Sequence, residues 1–318
     1  MKHSFCFRYF KKVSNSNKLF LYNLCNISLV IVSGRDSKKY LQSQITNDLT
    51  LLSNHEYGVG SCCNIFGRVI SVFLIFRYSS SSYAYLHRNS VLKYQFDEIK
   101  KYSVFSKVNI LTSKNFVIYG ICGKESLIFL EKYFSISFLN KSVVKKDNFT
   151  FLKINSVMKR FIIISTYKDI QIFIENNFKK FCYRPLQEWD FWDMDIGFPI
   201  IEKKSCKKFF PSSLNLEKFN AVSFHKGCYK GQEILSRIRY KNPNKKKLFL
   251  IYSISKNVPN IGERILKITK YGKIIFGIVV FSVKIDDYIF IQCVLNNIVT
   301  KNTILKIKSI YKSVLTIR

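Results

Sequence analysis

The chain is 318 residues long, 47% hydrophobic and 16% aromatic, with a formal net charge of +32. At about 100–200 residues per domain it should hold two or three domains with real cores, and five prolines and twelve glycines exclude a long disordered linker. The charge admits two coexisting readings: a polyanionic partner, or a composition rich in Lys, Ile and Asn, because the basic residues run the whole length without forming one arm.

In chain order, the start Met1–Phe20 is basic and acid-free, which imitates a transit peptide. It lacks the apolar core and small-residue cleavage site of a signal, and reads as the poorly ordered start of a cytoplasmic protein. Asn26–Gly34 is β-branched and alternating, hence a strand. A helix is expected next, capped by Asp36 or Ser37, with Leu41, Ile45 and Leu49 on one face. Two strand-like runs flank Ser79–Ser82 as a hairpin, and Leu92, Phe96 and Ile99 mark a helix with Ser90 as its cap. A second block reads strand, helix, two strands around Val157–Met158, then helix, which predicts an α+β unit with an antiparallel sheet. From about Lys245 only short β-type runs follow, which predicts a small barrel or sandwich, with Lys241–Lys247 as the boundary.

The cysteines, at 6, 25, 62, 63, 122, 182, 206, 228 and 293, are odd in number and form no C-x-x-C pair. That pattern is neither a disulfide framework nor a metal cradle, and free thiols suit a reducing compartment. The four histidines are equally dispersed, so no metal site is expected. The apolar run Ile274–Val283 is half of the ~20 residues that a membrane helix needs.

The chemistry concentrates in the stretch KGCYKGQE, Lys226–Glu233. Gly227 and Gly231 permit positive φ or close backbone approach. Ile234, Leu235 and Ile238 then set up an amphipathic helix. Cys228 would stand near that helix's N-terminus between Lys226 and Lys230, where dipole and ammonium groups favour a thiolate. Packing is the plain alternative. The adjacent Cys62 and Cys63 are read as packing.

KGCYKGQE resembles the signature of the YgfZ-type folate-binding proteins, relatives of the aminomethyltransferase of glycine cleavage. The segments at Val32–Leu49, Lys100–Ile110, Ile196–Ile201 and Phe209–Phe224 resemble the family's other segments in order and spacing, so the likeness covers about residues 20 to 300. The resemblance implies an α+β fold of three domains in a ring around a central cavity, with a C-terminal β-barrel. It assigns residues 1–48 plus 110–182 to the first domain, 49–109 plus 183–242 to the second and 243–318 to the barrel. It implies that tetrahydrofolate lies in the cavity, which Cys228 would border. The protein would support an iron–sulfur tRNA-modifying enzyme in methylthiolation of adenosine, and replication initiation indirectly. It would act as a monomer without turnover of its own.

By the same resemblance Cys228 is the functional thiol and Lys226 keeps its surroundings positive. Gly227, Tyr229, Gly231, Gln232 and Glu233 complete the motif, Glu233 having the alternative role of a helix-start acid. Trp189 falls at a folate-contacting tryptophan, and Trp192 does not align. The family's other tryptophan is matched by Ile27, which offers apolar contact without a π-face, and Tyr22 is a neighbour able to substitute.

Two alternatives belong to other classes. A true aminomethyltransferase carries an acidic pair after a Gly-Gly turn, but Gly67 and Arg68 stand at the turn here, and Ser71 and Val72 at the acids. A basic RNA-binding protein would make direct tRNA contact, for which Arg237–Lys247 offers cations but no compact reading motif.

Overall fold

In chain order the strands are β1 Leu19–Asn23, β2 Ile27–Ser33, β3 Tyr57–Cys63, β4 Val69–Ser79, β5 Ser82–Arg88, β6 Asn109–Thr112, β7 Phe116–Cys122, β8 Val143–Lys146 and β9 Phe149–Ile154. They continue with β10 Arg160–Thr166, β11 Phe181–Tyr183, β12 Lys246–Ile254, β13 Arg264–Thr269, β14 Gly272–Ile285, β15 Tyr288–Asn296, β16 Leu305–Ile307 and β17 Thr316–Ile317. The helices are α1 Ser37–Gln44, α2 Leu92–Lys100, α3 Ser126–Phe134, α4 Tyr167–Asn176, α5 Leu186–Asp195 and α6 Gln232–Lys241. These elements come from a computed structural model that describes residues 18–113, 115–241, 246–296, 303–310 and 316–317. The start through residue 17 and the boundary residues 242–245 lie outside the described residues.

Three sheets carry the described chain. The first has the order β11-β1-β7-β10-β9-β8, the second β3-β4-β5-β2-β6, and the third β16-β13-β14-β15-β12-β17. Pairing is antiparallel except between β1 and β11. The hairpin at the serine run forms as expected, with Ser79 opposite Ser82. Strand β2 precedes the expected boundary at residue 48, yet it pairs with β5 and β6 in the second sheet.

Four expectations are corrected. The C-terminal barrel is an open antiparallel sheet among the described residues, with β16 paired to β13 and β17 to β12. Among the described residues these two edge strands do not pair with each other, so the sheet has no closing seam. Helix α1 stops at Gln44, because Ile45 turns extended (φ −120°, ψ 162°) and bridges to Cys62. Ile45 and Leu49 still reach the core from non-helical backbone. Asp36 does not cap α1 with its side chain; its carboxylate accepts the Lys107 N–H at 2.8 Å. Ser90 lies in a short 3-10 turn and does not cap α2 either.

Burial follows the alternation of the strands. One face of the first sheet packs Leu21, Ile121, Phe151 and Phe161 against α3 and α4. The other face packs Tyr22, Leu152 and Ile162 with Trp189, Phe191 and Trp192 of α5. Helix α5 touches β1 and β14, so the sheets converge on it. Its acids bind arginines of two sheets: Asp190 to Arg88 of β5 at 2.5 Å, and Asp193 to Arg160 of β10 at 2.8 Å. No helix of the described residues is long and apolar enough to cross a membrane.

Candidate functional site

A cavity of about 430 Å³ opens between the second sheet, the β9–β10 hairpin tip and α5. Ile27, Leu74 and Leu86 supply apolar wall, Trp189 supplies the aromatic face, and Asn155, Ser156, Asp193 and Lys218 supply polar groups. That mixture suits a flat heterocycle with a polar edge. Trp189 and Ile27, far apart in sequence, thus meet in one wall.

Trp189 is locked from behind. Gly120 of β7 lies so close that a Cβ there would come within 2.4 Å of the indole. The Arg160 guanidinium stands 4.9 Å over the ring, and the Tyr22 ring packs at 5.4 Å, tilted 59°. Arg160 is fully buried, and also binds Asp193 at 2.8 Å and Ser156 at 3.4 Å. Its three contacts, Trp189, Asp193 and Ser156, all line the cavity, so Arg160 fixes the wall without belonging to it. Tyr22 is fully buried behind Trp189 and outside the lining. Trp192 is core, packed 5.5 Å from Phe191.

A larger cleft of about 980 Å³ adjoins this cavity. Both are lined by Tyr57, Val59 and Phe219. The Tyr57 hydroxyl accepts the Asn155 N–H at 3.1 Å, tying the hairpin tip to the second sheet at the junction. His225 and Leu235, on either side of the signature cysteine, line the cleft; Cys228 lines neither space and is exposed.

The signature is mostly a knot. The Lys226 ammonium donates to the carbonyls of Gln42, Ile45 and Asn47 at 2.7, 2.7 and 2.6 Å. These include carbonyls left open at the end of α1. Burial pulls the Lys226 pKa down to about 8, against the opposing pull of Asp48. Lys226 therefore anchors α1 with the donors that a neighbouring thiolate would need. Tyr229 is buried, and the Lys226 ammonium lies 4.8 Å over its ring. Lys230 binds Glu98 of α2 at 2.5 Å. Burial raises the Glu98 pKa, but Lys230 and Lys101 outweigh it and leave it lowered.

Gly231 has φ +82°, and a Cβ there would meet the Asn64 carbonyl at 2.7 Å. Gly227 needs no such freedom: its φ is not positive and the space around it is open. The Gln232 side chain accepts the Tyr229 N–H at 3.0 Å, closing the start of α6 as a capping box does. Glu233 is exposed and pairs with Arg237 one turn on, at 3.0 Å. Among the helix's apolar residues, Leu235 is buried while Ile234 and Ile238 are half-buried.

Among the other described thiols, Cys25 is exposed like Cys228 and Cys182 is half-buried. Cys62, Cys63, Cys122, Cys206 and Cys293 are buried. Burial pushes the Cys63 and Cys122 pKa up to about 12. Sequence reading missed Arg160 and Asp193, and assigned Lys230 to the thiol where the structure pairs it with Glu98. The signals were a charge opening the apolar strand Arg160–Thr166, and acids three residues apart at Asp190 and Asp193 on one helix.

No family model matches the chain. It is 36% identical over 282 residues to the tRNA-modifying protein YgfZ of Buchnera aphidicola subsp. Schizaphis graminum, covering 88% of each chain. It is 30% identical over 307 residues to the tRNA-modifying protein YgfZ of Yersinia enterocolitica, covering 96% of this chain and 93% of that one. Among solved structures it matches the glycine cleavage system aminomethyltransferase T from Bartonella henselae with a TM-score of 0.73, over 94% of this chain and 84% of that one. At 11% identity, that likeness concerns the fold.

Proposed function

The chain belongs to the family of the tRNA-modifying protein YgfZ, and from that premise we propose that it is a folate-binding accessory protein of iron–sulfur-dependent tRNA modification. The process supported is methylthiolation of adenosine, with replication initiation affected indirectly. The reading carries with it a cytoplasmic monomer of three domains that turns over no substrate of its own. One observation carries it: Trp189 and Ile27 meet in a single cavity with an aromatic face and a polar rim.

The residues present fit a pterin. The Trp189 indole offers a flat contact, Ile27 an apolar one, and Asp193, Asn155, Ser156 and Lys218 hydrogen-bonding groups. Ile27 lacks a π-face, which lowers the affinity below that of a site with two tryptophans. Bound tetrahydrofolate would supply a one-carbon carrier and a reducing pterin. Val72 lines the cavity, and Ser71 is buried with its hydroxyl on Gln95 at 2.9 Å. Strand β4 thus offers no carboxylate at those two positions to govern protonation of a folate nitrogen, which disfavours aminomethyl transfer. Cys228 is the signature's thiol and is exposed, so a partner enzyme can reach it.

Two measurements test the reading. Tetrahydrofolate should quench the tryptophan fluorescence saturably, and Trp189→Ala should weaken binding about tenfold, as expected for loss of one ring contact. Unchanged affinity removes Trp189 from the site. In a strain lacking the homologue, the wild-type chain should restore methylthiolated tRNA and Cys228→Ala should not. Full restoration by the variant removes the thiol from the mechanism.

A further inference from the structure

The helix-covered face of the first sheet, away from the folate cavity, carries two grooves that the proposed function leaves unused. One, of about 550 Å³, is lined by Lys18, Lys132, Lys179 and Lys180 against one carboxylate, Glu125. Its floor includes Phe129, with the Lys180 ammonium 5.1 Å over the ring. Among the described residues no ion pair ties Lys132, Lys179 or Lys180 to an acid. The second groove, of about 430 Å³, is lined by Tyr119, Tyr167, Phe178 and Tyr183.

The short turn Phe178–Lys180 joins the two, with its phenylalanine lining one groove and its lysines the other. The rings are available: Phe178 is 65% exposed, Tyr167 64%, Tyr183 53%, and Tyr133, in the lysine groove, 40%. The lysine groove is more one-sidedly basic than the large cleft, and the aromatic groove beside it includes one carboxylate, Glu175. The large cleft beside the signature sets Asp48, Glu56 and Glu217 against Arg239 and Lys247.

Cations in a groove beside exposed flat rings match a chain of phosphates bearing unstacked bases. A purely anionic surface or acidic peptide would use the lysines and leave the rings idle. A duplex keeps its bases stacked on one another, out of reach of the rings. We infer that this edge of the first sheet binds an unpaired stretch of RNA, with Lys132, Lys179 and Lys180 on phosphates and Phe178, Tyr183 and Tyr167 under bases. The site does not depend on folate, and gives the family's tRNA connection a place on this chain.

Fluorescence anisotropy with a labelled oligouridylate of about twelve nucleotides, within the span of such sites, reads it directly. The full-length chain should bind this probe more tightly than a duplex of equal length. Lys132→Glu with Lys179→Glu should weaken binding at least about tenfold and flatten the log–log salt dependence by about 1.4, the share of two lost phosphate contacts. Phe178→Ala with Tyr183→Ala should weaken it at least about thirtyfold with the salt slope unchanged. Lys273→Glu with Lys306→Glu, on the third sheet, is the control for general basicity and should change neither. Circular-dichroism melts should coincide with wild type; a pair that fails this is replaced by Lys179→Ala or Phe178→Leu alone. Equal loss in the control pair, equal affinity for the duplex, or no binding at low salt each overturns the site.

Discussion

The signature Lys226–Glu233 and the cavity wall around Trp189 use charge in opposite ways. In the signature, lysines point inward: Lys226 closes on three carbonyls, and Lys230 on Glu98. Their work is to hold a loop against α1 and α2, so that Cys228 stands at the surface. In the cavity wall, the charged pair Arg160–Asp193 sits behind or beside an apolar lining and fixes the indole. The motif easiest to recognise in the sequence is thus mainly scaffold, with one chemical group left over. The less conspicuous stretch around Trp189 builds the wall of the cavity.

Four measurements break or sharpen that contrast. Arg160→Met should cost about 4 kcal/mol in urea unfolding, because it strands Asp193 beside a buried gap, and should also weaken folate binding. Unaltered folate affinity would show that the wall does not need its backing. Lys226→Met should cost about 3 kcal/mol by leaving three carbonyls unanswered, whereas Cys228→Ala should leave stability within about 0.5 kcal/mol. Equal costs for these two would erase the division between scaffold and exposed thiol.

Within the signature, Gly231→Ala should cost about 2 kcal/mol, since it combines positive φ with a clash on Asn64. Gly227→Ala should be near neutral. The smallest effect is a pH dependence at the cavity. Burial lowers the pKa of His87, which lines the cavity, to about 3. Below pH 6.5 the unfolded chain therefore takes up a proton that the folded chain refuses. Stability held above that pH drains away as the pH falls toward 3, by about 1 kcal/mol between pH 7 and 5.5. His87→Leu should remove that part of the acid slope; an unchanged slope would mean that His87 titrates freely in the fold.

Much of this was legible in local pattern. Alternation and helical spacing placed the β2 strand, the serine hairpin, α2, α3, α4 and the helix after Gly231 within a few residues. These signals are local because backbone hydrogen bonding and side-chain periodicity are local. The same reasoning overran α1, because tertiary pairing of Ile45 with Cys62 outbid the helix spacing. It likewise closed a barrel where the described residues form an open sheet.

By itself the sequence determined the mixed α+β class, the uneven cysteines without a framework, and the family signature with its single cysteine. Only tertiary structure decided that Lys226 is an anchor, that Gly227 is unconstrained while Gly231 is not, and that Trp189 and Ile27 share one wall. The reason is physical: what a lysine or a glycine does depends on which distant carbonyl lies within 3 Å of it, and that distance is set by packing between sheets that no stretch of neighbouring residues encodes.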